Sequence, residues 1–247
     1  MKPTSTPLVL VHGVGLDHTM WLPVMAILAR RRTVAYDMVG HGHAAKPAGP
    51  YTLDTFVEQL AAIVDALDCD IDLVGFSMGA LVAQGLALSG TSSRIRRMVL
   101  LNGVYDRSPD ERGTIVDRVV EVRNGGLAGT IEPAIERWFT PSFAAARPEV
   151  LAAVRQRLRA NDVRAYADAY EVFATADAEL ADRVGSIVAP TLVATGRGDQ
   201  RSTPAMAEAL ANALPHGQSM ILNRLRHLTP IEAPNVVAAL IDDFTTT

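Results

Sequence analysis

Short apolar runs alternate along this chain with longer segments in which apolar residues recur at helical spacing. Six runs are predicted as buried strands, at residues 8–11, 33–37, 70–74, 98–101, 191–195 and 219–222. Helices are predicted between and after them at about residues 20–29, 52–67, 78–88 and 231–244. Strands that alternate with helices favour an α/β fold, with a mostly parallel, doubly wound sheet and helices on both faces.

One connection between the predicted strands is too long to be a loop. Residues 103–188 span 188 − 103 + 1 = 86 positions and have a helical pattern. A capping-box signature, Ser108 with Glu111, starts the first of these helices. Further helices are predicted at about 128–137, 147–159 and 162–174. We therefore predict an α/β core at 1–102 and 189–247, with a helical cap at 103–188 that walls a pocket and excludes water.

The third predicted strand leads into Gly75-Phe76-Ser77-Met78-Gly79 and then into an apolar helix. This G-x-S-x-G spacing is typical of a sharp strand-to-helix turn, in which glycines avoid clashes between the two backbones. Such a turn holds its serine in a strained conformation, with the hydroxyl above the end of the sheet. The free N–H groups at the start of the helix face the same point, so an oxyanion can be stabilised there.

A serine nucleophile needs a base and an orienting carboxylate, which here must lie at the carboxyl edge of the sheet. His227 follows the sixth predicted strand at that edge, whereas His216 precedes the strand and lies at the opposite end. Asp199 follows the fifth strand in a glycine-flanked turn and is preferred to Asp106, which follows the fourth. The sequence therefore predicts a triad of Ser77, Asp199 and His227, in the chain order expected for a G-x-S-x-G turn.

The remaining histidines are given supporting roles. His12, directly after the first predicted strand, is expected to organise the glycine loop that follows it. His18, His41 and His43 are interpreted as loop or pocket-rim residues.

Composition restricts the partners more than it restricts the reaction. The chain has 247 residues, a net charge of −4 and no basic run that resembles a nucleic-acid or membrane footprint. Its single cysteine excludes an internal disulfide framework, which fits a reducing cytoplasm. No cluster of His, Asp and Cys has ligand spacing, so neither a metal nor another cofactor is expected. A small molecule is the expected partner, and no pattern indicates an oligomeric state.

Four motifs together resemble the α/β-hydrolase superfamily over nearly the whole chain. They are His12-Gly13-Val14-Gly15, Gly75-Phe76-Ser77-Met78-Gly79, Gly196-Arg197-Gly198-Asp199 with Pro204, and His227 with Glu232-Ala233-Pro234. More narrowly, the chain resembles the 3-oxoadipate enol-lactonase group in stretches at 15–21, 40–52 and 137–140. Because almost nothing precedes Leu8, the sheet is expected to lack one or two N-terminal edge strands of such proteins.

The resemblance implies a serine hydrolase that cleaves a small carboxylic ester or lactone through an acyl-enzyme. The backbone N–H groups of Val14 and Met78 would receive the oxyanion, and Trp138 would line the substrate pocket. The same residues also suit a C–C bond hydrolase or an amidase acting on a small carboxylate-bearing metabolite, or a small-molecule receptor. Arg137 and Arg226 are candidates for receiving a substrate carboxylate, although a solvated surface position is the preferred interpretation of each.

Overall fold

The computed structural model describes residues 6–246 and contains one sheet of six parallel strands. The strands are β1 (Leu8–Val11), β2 (Thr33–Ala35), β3 (Ile71–Phe76), β4 (Ile95–Leu101), β5 (Thr191–Gly196) and β6 (Gly217–Leu222). Their order across the sheet is β2-β1-β3-β4-β5-β6. The predicted α/β class is confirmed. The predicted second strand is two residues too long, since the pairing of β2 with β1 ends at Ala35.

Helices connect these strands. They are α1 (Leu22–Ile27), α2 (Leu53–Leu67), α3 (Met78–Ala87), α4 (Pro109–Gly125), α5 (Ala128–Trp138), α6 (Pro141–Ala146), α7 (Pro148–Arg159), α8 (Val163–Leu180), α9 (Pro204–Ala213), α10 (Thr229–Glu232) and α11 (Pro234–Thr246). The single helix predicted at 231–244 is wrong in one respect, because the chain leaves the helical conformation at Ala233, before Pro234. A residue before proline is disfavoured in the α region, which explains the division.

The central strands of the sheet are apolar on both faces, as a doubly wound sheet requires. Alternate residues of β1 show this most simply: Val9 and Val11 belong to the core cluster on one side, and Leu8 and Leu10 to the cluster on the other. All four side chains are fully buried. The sheet is thereby fixed between two helical layers, and its strand ends are rigid points from which loops project.

The five helices α4–α8, here called the inserted helices, lie between β4 and β5. The capping box predicted at Ser108 is present, with hydrogen bonds from the Glu111 N–H to the Ser108 side chain and from the Ser108 N–H to the Glu111 carboxylate. Helix α8 packs against both α4 and α3, so the inserted helices contact the core through α3. The division of the chain into a core and a cap at residues 103–188 stays a prediction.

The neighbouring strands β1 and β3 define where a ligand-binding site can form. The chain passes from β1 outward to β2 and then returns to β3 on the other side of β1. In open α/β sheets, ligands bind beyond the carboxyl ends of the strands at such a reversal. The loops after β1 and β3 therefore flank the expected position of a site. Within residues 6–246, no helix has the length and apolar character needed to cross a membrane.

Candidate active site

Ser77 lies in the turn between β3 and α3, in a conformation that L-residues rarely adopt. Its φ is 53° and its ψ is −115°. Its backbone N–H donates to the carbonyl of Leu101 at 2.9 Å, which fixes the turn to the end of β4. Strained backbone of this kind costs on the order of 1–3 kcal/mol and persists where the surroundings hold it. The structure therefore shows the tight strand-to-helix turn that the sequence predicts.

The flanking glycines allow this turn because two backbones approach each other there. A Cβ atom on Gly75 would lie 2.3 Å from the carbonyl oxygen of Gly79, and one on Gly79 would lie 2.4 Å from that of Val11. Both contacts are with backbone, which cannot move aside as a flexible side chain can. The steric reason for the two glycines in G-x-S-x-G is thus present at both positions.

His227 and Asp199 form a close pair at the same edge of the sheet. The Nδ1 atom of His227 lies 2.6 Å from Oδ2 of Asp199, and both residues are buried. The imidazole packs between two aromatic rings, with centroids 5.1 Å from Phe76 and 6.0 Å from Trp138. These contacts fix the ring plane, so that Nε2 is the nitrogen left for another partner.

The carboxylate of Asp199 is surrounded by donors. Its Oδ1 accepts from the backbone N–H groups of Arg201 and Ser202, each at 3.0 Å, and its Oδ2 accepts from Asn102 Nδ2 at 2.9 Å. Burial acts to raise the pKa of Asp199, but the charge and hydrogen bond of His227 and the other donors outweigh it, so the pKa lies below its ordinary value. Asp199 is therefore ionised at neutral pH despite its burial.

Asn102 is a site residue that sequence reasoning missed. It follows β4 directly, is fully buried and has a φ of 50°. Its Nδ2 also contacts Thr195 Oγ1 at 3.1 Å, and its Oδ1 accepts from Thr229 Oγ1 at 2.7 Å. An asparagine at a strand end, ready to adopt positive φ, is the only local signal. Asp106, the rejected alternative acid, is exposed over 67% of its side chain.

His12 holds the loop after β1 in place. Its Nε2 accepts from the N–H of Met38 at 2.9 Å, and its Nδ1 lies 2.8 Å from the carbonyl of Gly13. Burial lowers the pKa of His12 to about 4, so the ring is neutral at pH 7 and can accept at one nitrogen while donating at the other. The predicted organising role of His12 matches these contacts.

The other histidines lie away from the pair formed by His227 and Asp199. His41 is fully buried and packs edge-on against His12, with ring centroids 5.1 Å apart. His18 bonds Asp37 through Nδ1 at 2.7 Å. The carbonyl of His216 accepts from Thr191 at the start of β5, which is the opposite edge of the sheet, as predicted.

A cavity of about 300 Å³ opens over this edge of the sheet. Ser77, Asp199 and His227 all line it, and so do Val14 and Trp138. A volume of this order suits a small molecule. The structure thus brings together on one cavity wall four of the five residues predicted as the triad and oxyanion hole. The fifth, Met78, is fully buried and stands at the first position of α3, where its N–H has no carbonyl of its own helix to bond.

The inserted helices supply the opposite wall of the cavity. Its aromatic part comprises Tyr166, Tyr170 and Phe173 of α8, beside Trp138 at the end of α5. Three arginines also line the cavity, namely Arg118, Arg137 and Arg201. The interpretation of Arg137 as a solvated surface residue is therefore wrong, since this side chain is half-buried at the cavity. Arg226 is held elsewhere, because its Nη1 donates to the carbonyls of Glu136 and Phe139.

No group of three or more His, Cys, Asp or Glu residues within residues 6–246 is arranged to hold a metal ion. The titratable side chains that line the cavity are His227 with its partner Asp199, three arginines, two tyrosines and Glu121. A serine hydroxyl that lines the same cavity as a carboxylate-bound imidazole is an arrangement suited to acyl transfer chemistry.

The chain belongs to the alpha/beta hydrolase family, whose model matches residues 8–240. Its relatives include hydrolase enzymes that match almost the whole chain, so the predicted superfamily and the predicted hydrolase class are confirmed. It is 31% identical to the enol-lactonase from Burkholderia xenovorans, with a TM-score of 0.90 over 99% of this chain and 92% of that one.

The names of two further relatives give substrates other than an enol-lactone. The chain is 32% identical to (E)-2-((N-methylformamido)methylene)succinate hydrolase of Acinetobacter baylyi, over 94% of this chain and 87% of that one. It is 30% identical to 2-hydroxymuconate semialdehyde hydrolase of a Pseudomonas species, over 96% and 86% respectively. The likeness is therefore to hydrolases of several substrate types.

Proposed function

We propose that this protein is a serine hydrolase that cleaves a small carboxylic ester or lactone through an acyl-enzyme. One observation carries the proposal: Ser77 shares a cavity wall with His227, whose Nδ1 lies 2.6 Å from the carboxylate of Asp199. The likeness to an enol-lactonase over almost the whole chain supports the ester or lactone as the bond cleaved.

In this proposal His227 accepts the proton of the Ser77 hydroxyl at Nε2 while the serine oxygen attacks the carbonyl carbon. Asp199 keeps the Nδ1 atom of His227 protonated and stabilises the imidazolium that forms. The protonated imidazole then donates its proton to the departing alcohol oxygen, or to the ring oxygen of a lactone. Water attacks the acyl-enzyme with His227 as base, which releases the acid and restores Ser77.

Two backbone N–H groups, those of Val14 and Met78, are the candidates to donate hydrogen bonds to the negatively charged carbonyl oxygen. The first follows β1 and the second begins α3, so they approach the position above Ser77 from two adjacent strands. Within the described residues, the Val14 N–H makes no hydrogen bond to a protein acceptor. Such donors contribute about 10²–10³ in rate, and more when the site excludes water.

Cleavage of a carbon–carbon or amide bond is the second candidate. The names of the two curated relatives favour it, since neither is an ester or lactone hydrolase by name. The same serine, histidine and aspartate would serve, and only the leaving atom that accepts the proton would differ. A small-molecule receptor would use the same cavity without turnover.

Substrate preference separates these candidates. We expect kcat/KM for a p-nitrophenyl ester or a five-membered enol-lactone to exceed that for a matched secondary amide and a ring-cleavage diketone by at least about 100-fold, because neither of the latter provides so good a leaving group. Initial rates of the purified protein on the four compounds are the measurement. Faster cleavage of the diketone or the amide would establish the second candidate, and binding without multiple turnover would establish a receptor.

A further inference from the structure

The loop that carries Val14 is a tight turn, and the orientation of this turn sets the direction of the Val14 N–H. The N–H of Leu16 donates to the carbonyl of Gly13 at 3.2 Å, and Gly15 between them has a φ of 77°. The Gly13 carbonyl and the Val14 N–H belong to one planar peptide group. A contact that holds this turn therefore also holds the first candidate oxyanion donor.

Two side chains of the inserted helices bind the segment that begins with this turn. Asn161, in the connection between α7 and α8, donates from Nδ2 to the carbonyl of Gly15 at 2.8 Å. Arg157, in the last turn of α7, donates from Nη1 to Oδ2 of Asp17 at 2.8 Å. Asn161 and Asp17 are buried, and Arg157 is partly buried. We call Asn161 and Arg157 the loop clamp, because both join the inserted helices to residues that closely follow Val14.

The turn is in contact with the core as well as with the inserted helices. In the core, the Nδ1 atom of His12 lies 2.8 Å from the carbonyl of Gly13. In the inserted helices, a Cβ atom on Gly15 would lie 2.7 Å from Cε2 of Tyr166 and 3.0 Å from Cδ2 of Leu158. The position of the turn therefore depends on how the inserted helices are packed against it.

The amide group of Asn161 does more than end helix α7. Its Nδ2 contacts the carbonyls of Leu158 at 3.0 Å and of Arg157 at 3.3 Å, both in the last turn of α7. An asparagine amide offers two hydrogens. The bond to Gly15 is the shortest of the three contacts and reaches out of the inserted helices. Capping of α7 alone therefore does not account for this side chain.

We infer that Asn161 and Arg157 are positioning residues that orient the Val14 N–H toward the oxyanion, so that the inserted helices contribute to transition-state stabilisation. The inference rests on the proposed function, which supplies the oxyanion. Neither residue lines the cavity, so both act through the turn and not by contact with the substrate. Because the oxyanion forms only during the reaction, a misdirected donor lowers kcat and leaves substrate affinity unchanged.

Steady-state kinetics with p-nitrophenyl butyrate test the loop clamp. Asn161→Ala removes the bond to Gly15 and is expected to lower kcat by about 10- to 30-fold, because small displacements of a catalytic group are costly. Arg157→Gln should lower kcat by about three- to tenfold for the same reason. Arg157→Lys keeps a cation near Asp17 and should stay within about twofold of wild type. KM should change by no more than about twofold in all three variants.

Inhibition by n-butylboronic acid provides a second readout of the oxyanion donors. Its boron atom accepts an electron pair from the Ser77 oxygen, whose proton passes to His227, and the tetrahedral adduct places an oxygen at the oxyanion position. In Asn161→Ala and Arg157→Gln, the inhibition constant should rise by the factor by which kcat/KM falls. The inhibition constant of butyramide, which binds without forming an oxyanion, should stay within about twofold.

Arg123→Gln is the matched control, because it removes an arginine ion pair of the inserted helices that does not involve the turn. Arg123 lies 3.1 Å from Asp168 and 2.6 Å from Glu171, both on α8. Its kcat and its inhibition constant for the boronic acid should stay within about twofold of wild type. Thermal unfolding of every variant checks that it is folded and should show similar shifts for Arg123→Gln and Arg157→Gln.

Wild-type kcat in folded Asn161→Ala and Arg157→Gln would overturn the positioning role, as would a raised KM at unchanged kcat or an equal loss of kcat in Arg123→Gln. If Asn161→Ala does not fold, the Arg157 variants decide, and equal kcat in Arg157→Gln and Arg157→Lys overturns the inference. If wild-type protein neither cleaves the ester nor binds the boronic acid, the proposed function fails and this inference falls with it. Ester turnover that the loop-clamp substitutions leave unchanged contradicts this inference alone.

Discussion

Replacing Ser77 with alanine is expected to lower kcat/KM for the best ester or lactone by about 10⁴–10⁶, with little change in stability. The substitution removes only the oxygen that forms the acyl-enzyme. The cavity, the His227–Asp199 pair and the backbone donors all stay in place, so substrate still binds while the covalent step is lost. Initial rates at several substrate concentrations measure the effect. The activity that remains is expected to come from binding and orientation of the substrate and from the oxyanion donors alone.

A matched control separates the loss of the nucleophile from a general effect of removing a serine hydroxyl. Ser219 lies exposed on β6, so Ser219→Ala should retain activity within about twofold. Thermal unfolding of Ser77→Ala should coincide with that of wild type, because the buried packing around the turn is unchanged. A variant that kept more than a tenth of the wild-type rate would show that Ser77 is not the nucleophile.

Asp199→Asn is expected to lower kcat by about 10³–10⁴ while leaving substrate binding largely intact. In the wild type, the backbone N–H groups of Arg201 and Ser202 donate to Oδ1 of Asp199. In the variant, these two donors direct the amide oxygen to the same position. Its NH₂ group therefore takes the place of Oδ2 and faces the Nδ1 atom of His227. A donor there favours the imidazole tautomer with the proton on Nε2, which cannot accept the proton of Ser77.

Asp106→Asn makes the same chemical change at the exposed alternative acid and is the control for Asp199→Asn. We expect it to retain activity within about twofold, since Asp106 faces solvent and lies 4.0 Å from Arg112. Steady-state kinetics of both variants over a range of substrate concentrations separate the effect on kcat from the effect on KM. Near-wild-type turnover by Asp199→Asn, with a large loss in Asp106→Asn, would reverse the assignment of the acid.

Much of the fold followed from local patterns in the sequence. The strand at 71–76 is apolar at nearly every position. Glycines stand at positions 75 and 79 because a Cβ atom added at either would lie within 2.4 Å of a backbone oxygen. Capping residues at Thr52 and Ser108 mark the helix starts, and their hydrogen bonds are present. These features depend on residues that are neighbours in the chain, so a single sequence contains their whole signal.

The features that were missed depend on contacts between distant segments. Asn102 and Asp199 are 97 positions apart, and nothing near Asn102 in the sequence indicates the acid it binds. Arg118 resembles an ordinary surface arginine until α4 packs against α5 and α8, which brings it to the cavity. Helix α6 was missed because it has six residues, too few for an apolar period to be recognised.

The covalent intermediate provides the most direct test of the central claim that Ser77 carries the acyl group. Wild-type protein is mixed with a p-nitrophenyl ester, quenched in acid within milliseconds and analysed by intact mass and peptide mapping. We predict a burst of p-nitrophenol equal to the enzyme concentration, with the mass of one acyl group added on the peptide that contains Ser77. Turnover with no adduct at any time, or with the acyl group on another residue, would contradict the proposed mechanism.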